Sequence, residues 1–330
     1  MPEHDFILPN GLGGSKGHGT IAQRLLANGM DTKALRTNAT LRKEEWLEFD
    51  TALVETARDR LVAVGDLLSR GLTLNLKNAM GTTVIEWETI GQMRPAEVNM
   101  DGITRAAADR PNYESVLLPI PITHENFQFN IRALEASRLL GNALDTSSVI
   151  EATLQVVESL ESQLFNGVSI TFGGGTIYGY TNHPQRNTVS LHQVWDHVNQ
   201  TGELIVADVL SLIAAAHVDR MFGPYVIYVP TDYWIPLVDD FKADGDRTTL
   251  ERILAIPNID AVRVSDKLAD DNIVMVQMTK NVVDMVVGFQ PRLLEWSGEG
   301  GLQAFFKVMA IMVPRVKATQ TGQSGVVHMS

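Results

Sequence analysis

The spacing of apolar residues changes character several times along the chain. Between Arg42 and Gly71, Trp46, Phe49, Leu53, Ala57, Leu61, Val64 and Leu68 recur at steps of three and four. That spacing predicts one amphipathic helix, closed by Gly71. Residues 72–130 then switch to β-rich runs, TTVIEWETIGQM and YESVLLPIPITHENFQFNI, around the polar stretch RPAEVNMDGITRAAADRPN. Two long strands joined by a polar excursion predict a hairpin arm projecting from the body. Residues 146–166 give the clearest helical pattern. Ser148 with Glu151 fits a capping box, and Ile150, Leu154, Val157, Leu160, Glu161, Leu164 and Phe165 fall mainly along one side. Asn166-Gly167 supplies a left-handed stop.

After the glycine-rich stretch TFGGGTIYGYTNHPQRNT (171–188) the pattern becomes α/β. A helix over about 203–221 precedes the strand YVIYVPT and the helix DYWIPLVDDF, and TTLERILAIPNIDAVRVSDKL leads into the strands NIVMVQM and VVDMVVGF. A long β-rich run, LQAFFKVMAIMVPRVK, is followed by the polar tail ATQTGQSGVVHMS. Residues 1–40 are Gly-, Asn- and Thr-rich and read as an extended arm.

Composition narrows the classes of function. The 330 residues allow about two domain-lengths and a large core. A net charge of −12 argues against a body built to grip nucleic acid or an anionic membrane. Residues 1–43 run against that trend at +3. With no cysteine, disulfides, thiolate nucleophiles and Cys-based metal sites are excluded. No apolar run approaches the roughly 18 residues needed to span a bilayer, and no signal sequence is evident, so a soluble cytoplasmic product is expected.

Candidate chemistry is sparse. GLGGSKGHG (11–19) has Lys16 but lacks the spacing, preceding strand and following helix of a phosphate loop. His192 and His197 are five apart and do not share a helical face, so no metal site is expected. Asp239–Asp240 and Asp270–Asp271 are adjacent pairs beside turns, without the contrast of environments that acid–base catalysis needs. Tyr225, Tyr228, Tyr233 and Trp234 read as core packing. The stretch 171–188 offers glycines beside His183 and Arg186, and an α/β enzyme with its active loop there is one alternative. No nucleophile elbow accompanies it.

Three stretches, in order, resemble one family. LRKEEWLEFDTALVETARDRLVAVGDLLSRGL (41–72), ATLQVVESLESQLFNG…IYGYTNHPQRNT, and GPYVIYVPTDYWIPLVDDF…TTLERILAIPNIDAVRVSDKL are similar to HK97-type shell proteins, the tailed-phage major capsid proteins and the encapsulins. The final strand FFKVMAIMVPRV fits as well, so the likeness runs over about 41–318. It implies an α+β, HK97-like capsid fold: arm (1–40), N-terminal helix (41–71), extended E-loop hairpin (72–130), peripheral domain with a long spine helix (131–185 and 296–318), axial α/β domain (186–295) and C-terminal tail (319–330).

The implied function is a non-enzymatic major capsid protein without cofactor, self-assembling as pentamers and hexamers into an icosahedral virion shell around double-stranded DNA. Assembly in a bacterial host cytoplasm, with separate scaffolding, portal or decoration proteins and no membrane partner, belongs to the same expectation. A nanocompartment shell enclosing a cargo enzyme is the alternative within the fold. No lysine lies between Lys77 and Lys242, so the E-loop cannot donate the amine some members use for cross-linking, and a non-covalent shell is expected. The short stretch before the first helix leads us to expect no cleaved N-terminal scaffolding segment. Candidate inter-subunit contacts are Trp87, Arg94, Arg105, Arg110, Lys16 and Arg24. Gly175, Gly179, Tyr180, Asn182, His183 and Arg186 are read as the turn where the chain leaves the spine helix for the next domain.

Overall fold

Two helices, α1 (Lys43–Arg60) and α2 (Ala63–Ser69), stand where the spacing predicts one. The computed structural model describes residues 41, 43–94, 96, 98, 100, 110–130, 132, 136, 139, 146–242, 247–297 and 303–330. The break falls at Leu61–Val62, because a buried carboxylate takes over the first-turn donors of α2. Glu161 Oε1 accepts the Ala63 N–H at 2.5 Å and Oε2 accepts the Val64 N–H at 3.2 Å. Those donors have no intrahelical partner at a helix start. Gly71, with φ +67°, closes α2 as expected. The Leu72 N–H returns to the Leu67 carbonyl and the Gly71 N–H to that of Leu68, the paired bonds of a left-handed helix stop.

The long helix α3 (Ser147–Asn166) starts one residue before Ser148, which therefore lies inside the helix and not at its cap. Its buried face is Val149, Ala152, Thr153, Val156, Val157, Leu160, Glu161 and Leu164, while Ile150 is 40% exposed. Val157, Leu160, Glu161, Leu164 and also Phe165 are buried as the spacing predicts, and buried Thr153 satisfies its hydroxyl on the Val149 carbonyl, 2.7 Å away.

The β-rich region 72–130 holds β1 (Thr73–Asn75), β2 (Val84–Ile90), β3 (Tyr113–Pro119) and β4 (Thr123–Asn130). The hairpin is β2 with β3, antiparallel from Val84↔Pro119 to Ile90↔Tyr113. The second run, read as one strand, splits at Pro119-Ile120-Pro121, since proline cannot donate to a ladder, and β4 joins a different sheet. Strands β5 (Val168–Phe172) and β6 (Gly175–Ile177) form a second hairpin, turned by Gly173 and Gly174 at φ +61° and +85°. Asn-Gly and Gly-Gly dipeptides supply such a turn at no steric cost.

A five-stranded sheet has the order β7–β13–β10–β8–β9, from Asn187–Val189, Val326–Met329, Ile273–Gln277, Tyr225–Val229 and Ile259–Val264. Here the polar tail expected over 319–330 is corrected. Its last residues form the fully buried strand β13, parallel to β7 and antiparallel to β10. Helix α4 (Gly202–Val218) lays Val209, Leu212 and Ala216 against Tyr225, Ile227, Val229, Met275 and Val327. Side chains alternate along β8, so Val226 and Tyr228 point to the other face. The helix expected over DYWIPLVDDF is shorter, a 3₁₀ turn at Thr231–Tyr233 and α5 (Trp234–Val238), and α6 (Thr249–Leu254) follows.

The long strands β11 (Val283–Ser297) and β12 (Gln303–Val316) run through both of the chain's compact units. Of the described residues, the smaller unit takes 41–56, 124–154 and 291–309, and the larger takes 57–123, 155–290 and 310–330. The smaller unit is centred on aromatics. Phe306 lies 5.3 Å from Phe127 and 6.2 Å from Trp46, and Phe49 stacks on Phe129 at 5.8 Å.

Candidate functional site

The turn after α3 is held by its own side chains. The Tyr180 and Thr181 N–H groups donate to the Leu164 and Phe165 carbonyls, orphans of the helix end. Asn182 Oδ1 accepts the Gly179 N–H at 2.7 Å, and its Nδ2 donates to the Asn166 carbonyl at 2.7 Å. Gly179 is required, because a Cβ there would lie 2.4 Å from Gly167 N and 2.5 Å from the Phe165 carbonyl oxygen. Tyr180 is fully buried, edge-on to Phe165 and stacked 6.2 Å from Tyr228 of β8. Its hydroxyl has no hydrogen-bond partner among the described residues, and burial holds its pKa well above the usual range. Gly175 sits apart from this cluster, where a Cβ would meet the Leu117 carbonyl of β3 at 2.3 Å.

His183 and Arg186 tie the turn to the five-stranded sheet. Arg186 donates from one terminal nitrogen to the His183 carbonyl at 3.0 Å and from Nε to His328 Nδ1 at 3.2 Å. The far nitrogen of His328 bonds Asn272 Oδ1 at 2.7 Å. His183 Nδ1 accepts the Gln185 N–H at 3.2 Å. Burial, with the Arg186 guanidinium adding to it, pushes His183 down to about 4 and lowers His328 as well. Both rings are neutral near pH 7. The groups that give 171–188 its chemical look hold the chain in place.

A second constellation beside the β2–β3 hairpin escapes the sequence reading. Asp284 accepts two bonds from Arg315, at 2.8 and 2.5 Å, and one from Lys317 Nζ at 2.7 Å, with its own side chain 5% exposed. Arg315 in turn lies over the Trp87 ring, 5.3 Å from its centre. Gln320 Nε2 donates to the Thr89 and Asn112 carbonyls, which flank the end of the ladder nearest the connecting segment. Trp87 is thus half-buried within its own chain, while Arg94 and Arg110 are exposed. Arg105, Lys16 and Arg24 lie outside the described residues. An acid inside the apolar run VVDMVV was the visible signal for Asp284.

Among the described residues no group of three histidines and carboxylates is placed to hold a metal, and no helix is long and apolar enough to cross a membrane. Residues 34–329 match a protein family described as a family of unknown function, DUF6260. The chain belongs to that family. No curated protein matches this DUF6260 chain. Its fold is nonetheless shared with solved particles. The virus-like particle from Pyrococcus furiosus superposes with a TM-score of 0.62 at 17% identity, covering 87% of this chain and 100% of that one. The capsid of Myoviridae phage XM1 gives 0.60 at 11%, covering 79% and 90%. The capsid of the native GTA particle gives 0.58 at 10%, covering 83% and 89%. At these identities the likeness is one of fold, and it establishes the HK97-type α+β architecture for the DUF6260 chain.

Proposed function

We propose that this chain is the major capsid protein of a tailed phage, a structural and non-catalytic subunit that self-assembles into an icosahedral, non-covalent shell around double-stranded DNA. The observation that carries the reading, beside the shared fold, is the β2–β3 hairpin. A two-stranded ribbon is marginal alone in water. This one exposes Ile90 and Tyr113, and the adjoining Met93, Val98 and Met100 are exposed too. An apolar surface of that kind is what a neighbouring subunit buries. Under this reading residues 1–40 are the arm, 72–130 hold the E-loop, 131–185 with 296–318 the peripheral domain and 186–295 the axial domain. Trp87, Arg94, Arg105, Arg110, Lys16 and Arg24 belong to contacts between subunits, while portal, scaffolding and decoration would be separate proteins meeting it in the bacterial host cytoplasm.

Electron microscopy of the purified full-length chain tests this. Closed shells are expected, and a denaturing gel of them should show a single band without a ladder. A chain that stays monomeric at high concentration refutes the reading. The fold shared with the Pyrococcus furiosus virus-like particle leaves a nanocompartment shell as the weaker second reading. Nuclease-protected DNA in shells from the native source supports the phage capsid, and a co-purifying enzyme supports the compartment.

A further inference from the structure

The two ends of α4 carry surfaces that suit each other. At its N-terminal end a cavity of about 590 Å³ opens beside Thr201 and Gly202. Asp196, Asp239 and Asp240 bring carboxylates to its wall, and its cation, Lys242, is already paired with Glu203 at 2.7 Å. Apolar side chains share that wall, with Ile235 78% exposed and Val198 still more so. Thr249, also on the wall, is buried with a hydroxyl that has no partner among the described residues. The cavity therefore asks for a group that is both cationic and apolar.

The C-terminal end of α4 presents such a group. Val218 and Phe222 are exposed large apolar residues, Phe222 at 60%, and Arg220 stands between them, exposed and with no ion-pair partner among the described residues. Arg220 occupies a left-handed position, φ +60°, where the Met221 N–H returns to the Ala216 carbonyl to close the helix. Glycine is the favoured residue in that conformation. An arginine there carries a backbone cost that glycine would avoid. Seventeen residues separate the ends, about 25 Å, so the knob cannot reach its own chain's cavity.

We propose that the Val218–Phe222 knob of one copy docks in the Asp196–Asp240 cavity of the next, with Arg220 facing the carboxylates and Phe222 against Ile235 and Val198. A contact between two different surfaces of the same chain is head-to-tail, the kind that closes into rings. This contact rests on the shell reading above and names an interface for it.

The test uses the full-length chain and follows assembly by light scattering and electron microscopy. Arg220→Gly relieves the left-handed strain, so the unassembled variant should melt no lower than the parent. It should nevertheless raise the protein concentration needed for assembly by about tenfold, as expected for losing one interfacial ion pair and its packing. Arg220→Asp and the pair Asp239→Lys with Asp240→Lys should each block assembly, and combining all three should restore it. Unchanged assembly of Arg220→Gly, or no rescue by the combined charge reversal, overturns the contact while leaving the shell reading standing. A parent chain that never assembles overturns both.

Discussion

Glu161→Gln probes the carboxylate that both splits the N-terminal helix and joins it to α3. Burial pushes Glu161 up from 4.5 to about 7, against the opposing pull of the Ala63, Val64 and Val62 N–H groups. The folded chain then binds this proton more tightly than the unfolded one. Its contribution to stability is fully present below pH 4.5 and is lost as pH rises through 7. The rise corresponds to about 3 kcal/mol. Glutamine keeps the shape and one acceptor but cannot titrate. The quantity to measure is the difference in unfolding free energy between parent and variant, from urea titrations of the unassembled chain at several pH values. Taking the difference cancels other titrating groups, including His183. That residue, held down at about 4 by burial, has the opposite sign and withdraws stability as pH falls below 6.5. The parent's advantage should shrink by about 3 kcal/mol between pH 4.5 and pH 7.5. A difference that stays constant across that range refutes the reasoning, because it would mean the N–H groups keep Glu161 ionised throughout.

Three further outcomes follow from the geometry. Gly179→Ala should destabilise by about 3 kcal/mol, at the upper end of overpacking costs, since the added Cβ meets backbone of Phe165 and Gly167 that cannot move aside. An unchanged melting temperature would contradict this. Asp284→Asn leaves Arg315 and Lys317 without their buried counter-charge and should cost about 3–5 kcal/mol in urea unfolding at pH 7. Gln320→Ala removes the bonds to the Thr89 and Asn112 carbonyls, worth about 1–2 kcal/mol together. Amide exchange within β2 and β3 should quicken about tenfold with global stability little altered.

Much of the architecture was legible because it rests on local rules. Periodicity placed α3 to within a residue, Gly71 and Gly167 marked both left-handed helix stops, and the succession of helical and β-rich runs carried the resemblance to shell proteins. The stretch 171–188 reads in the sequence as a turn after α3. Asn182 and Arg186 hold that turn by hydrogen bonds, and Gly173 and Gly174 make a hairpin within it. What escaped depends on partners distant in sequence. The helix break at Leu61 exists because of Glu161, a hundred positions on. The tail became a central strand because β7 and β10 present it two open edges. Asp284 is tolerable in the interior only with Arg315 and Lys317 beside it. Backbone propensity and apolar spacing act between neighbours and so can be read along the chain. Burial of a charge or pairing of a short strand is decided by what the fold brings alongside, and only the tertiary structure determines that.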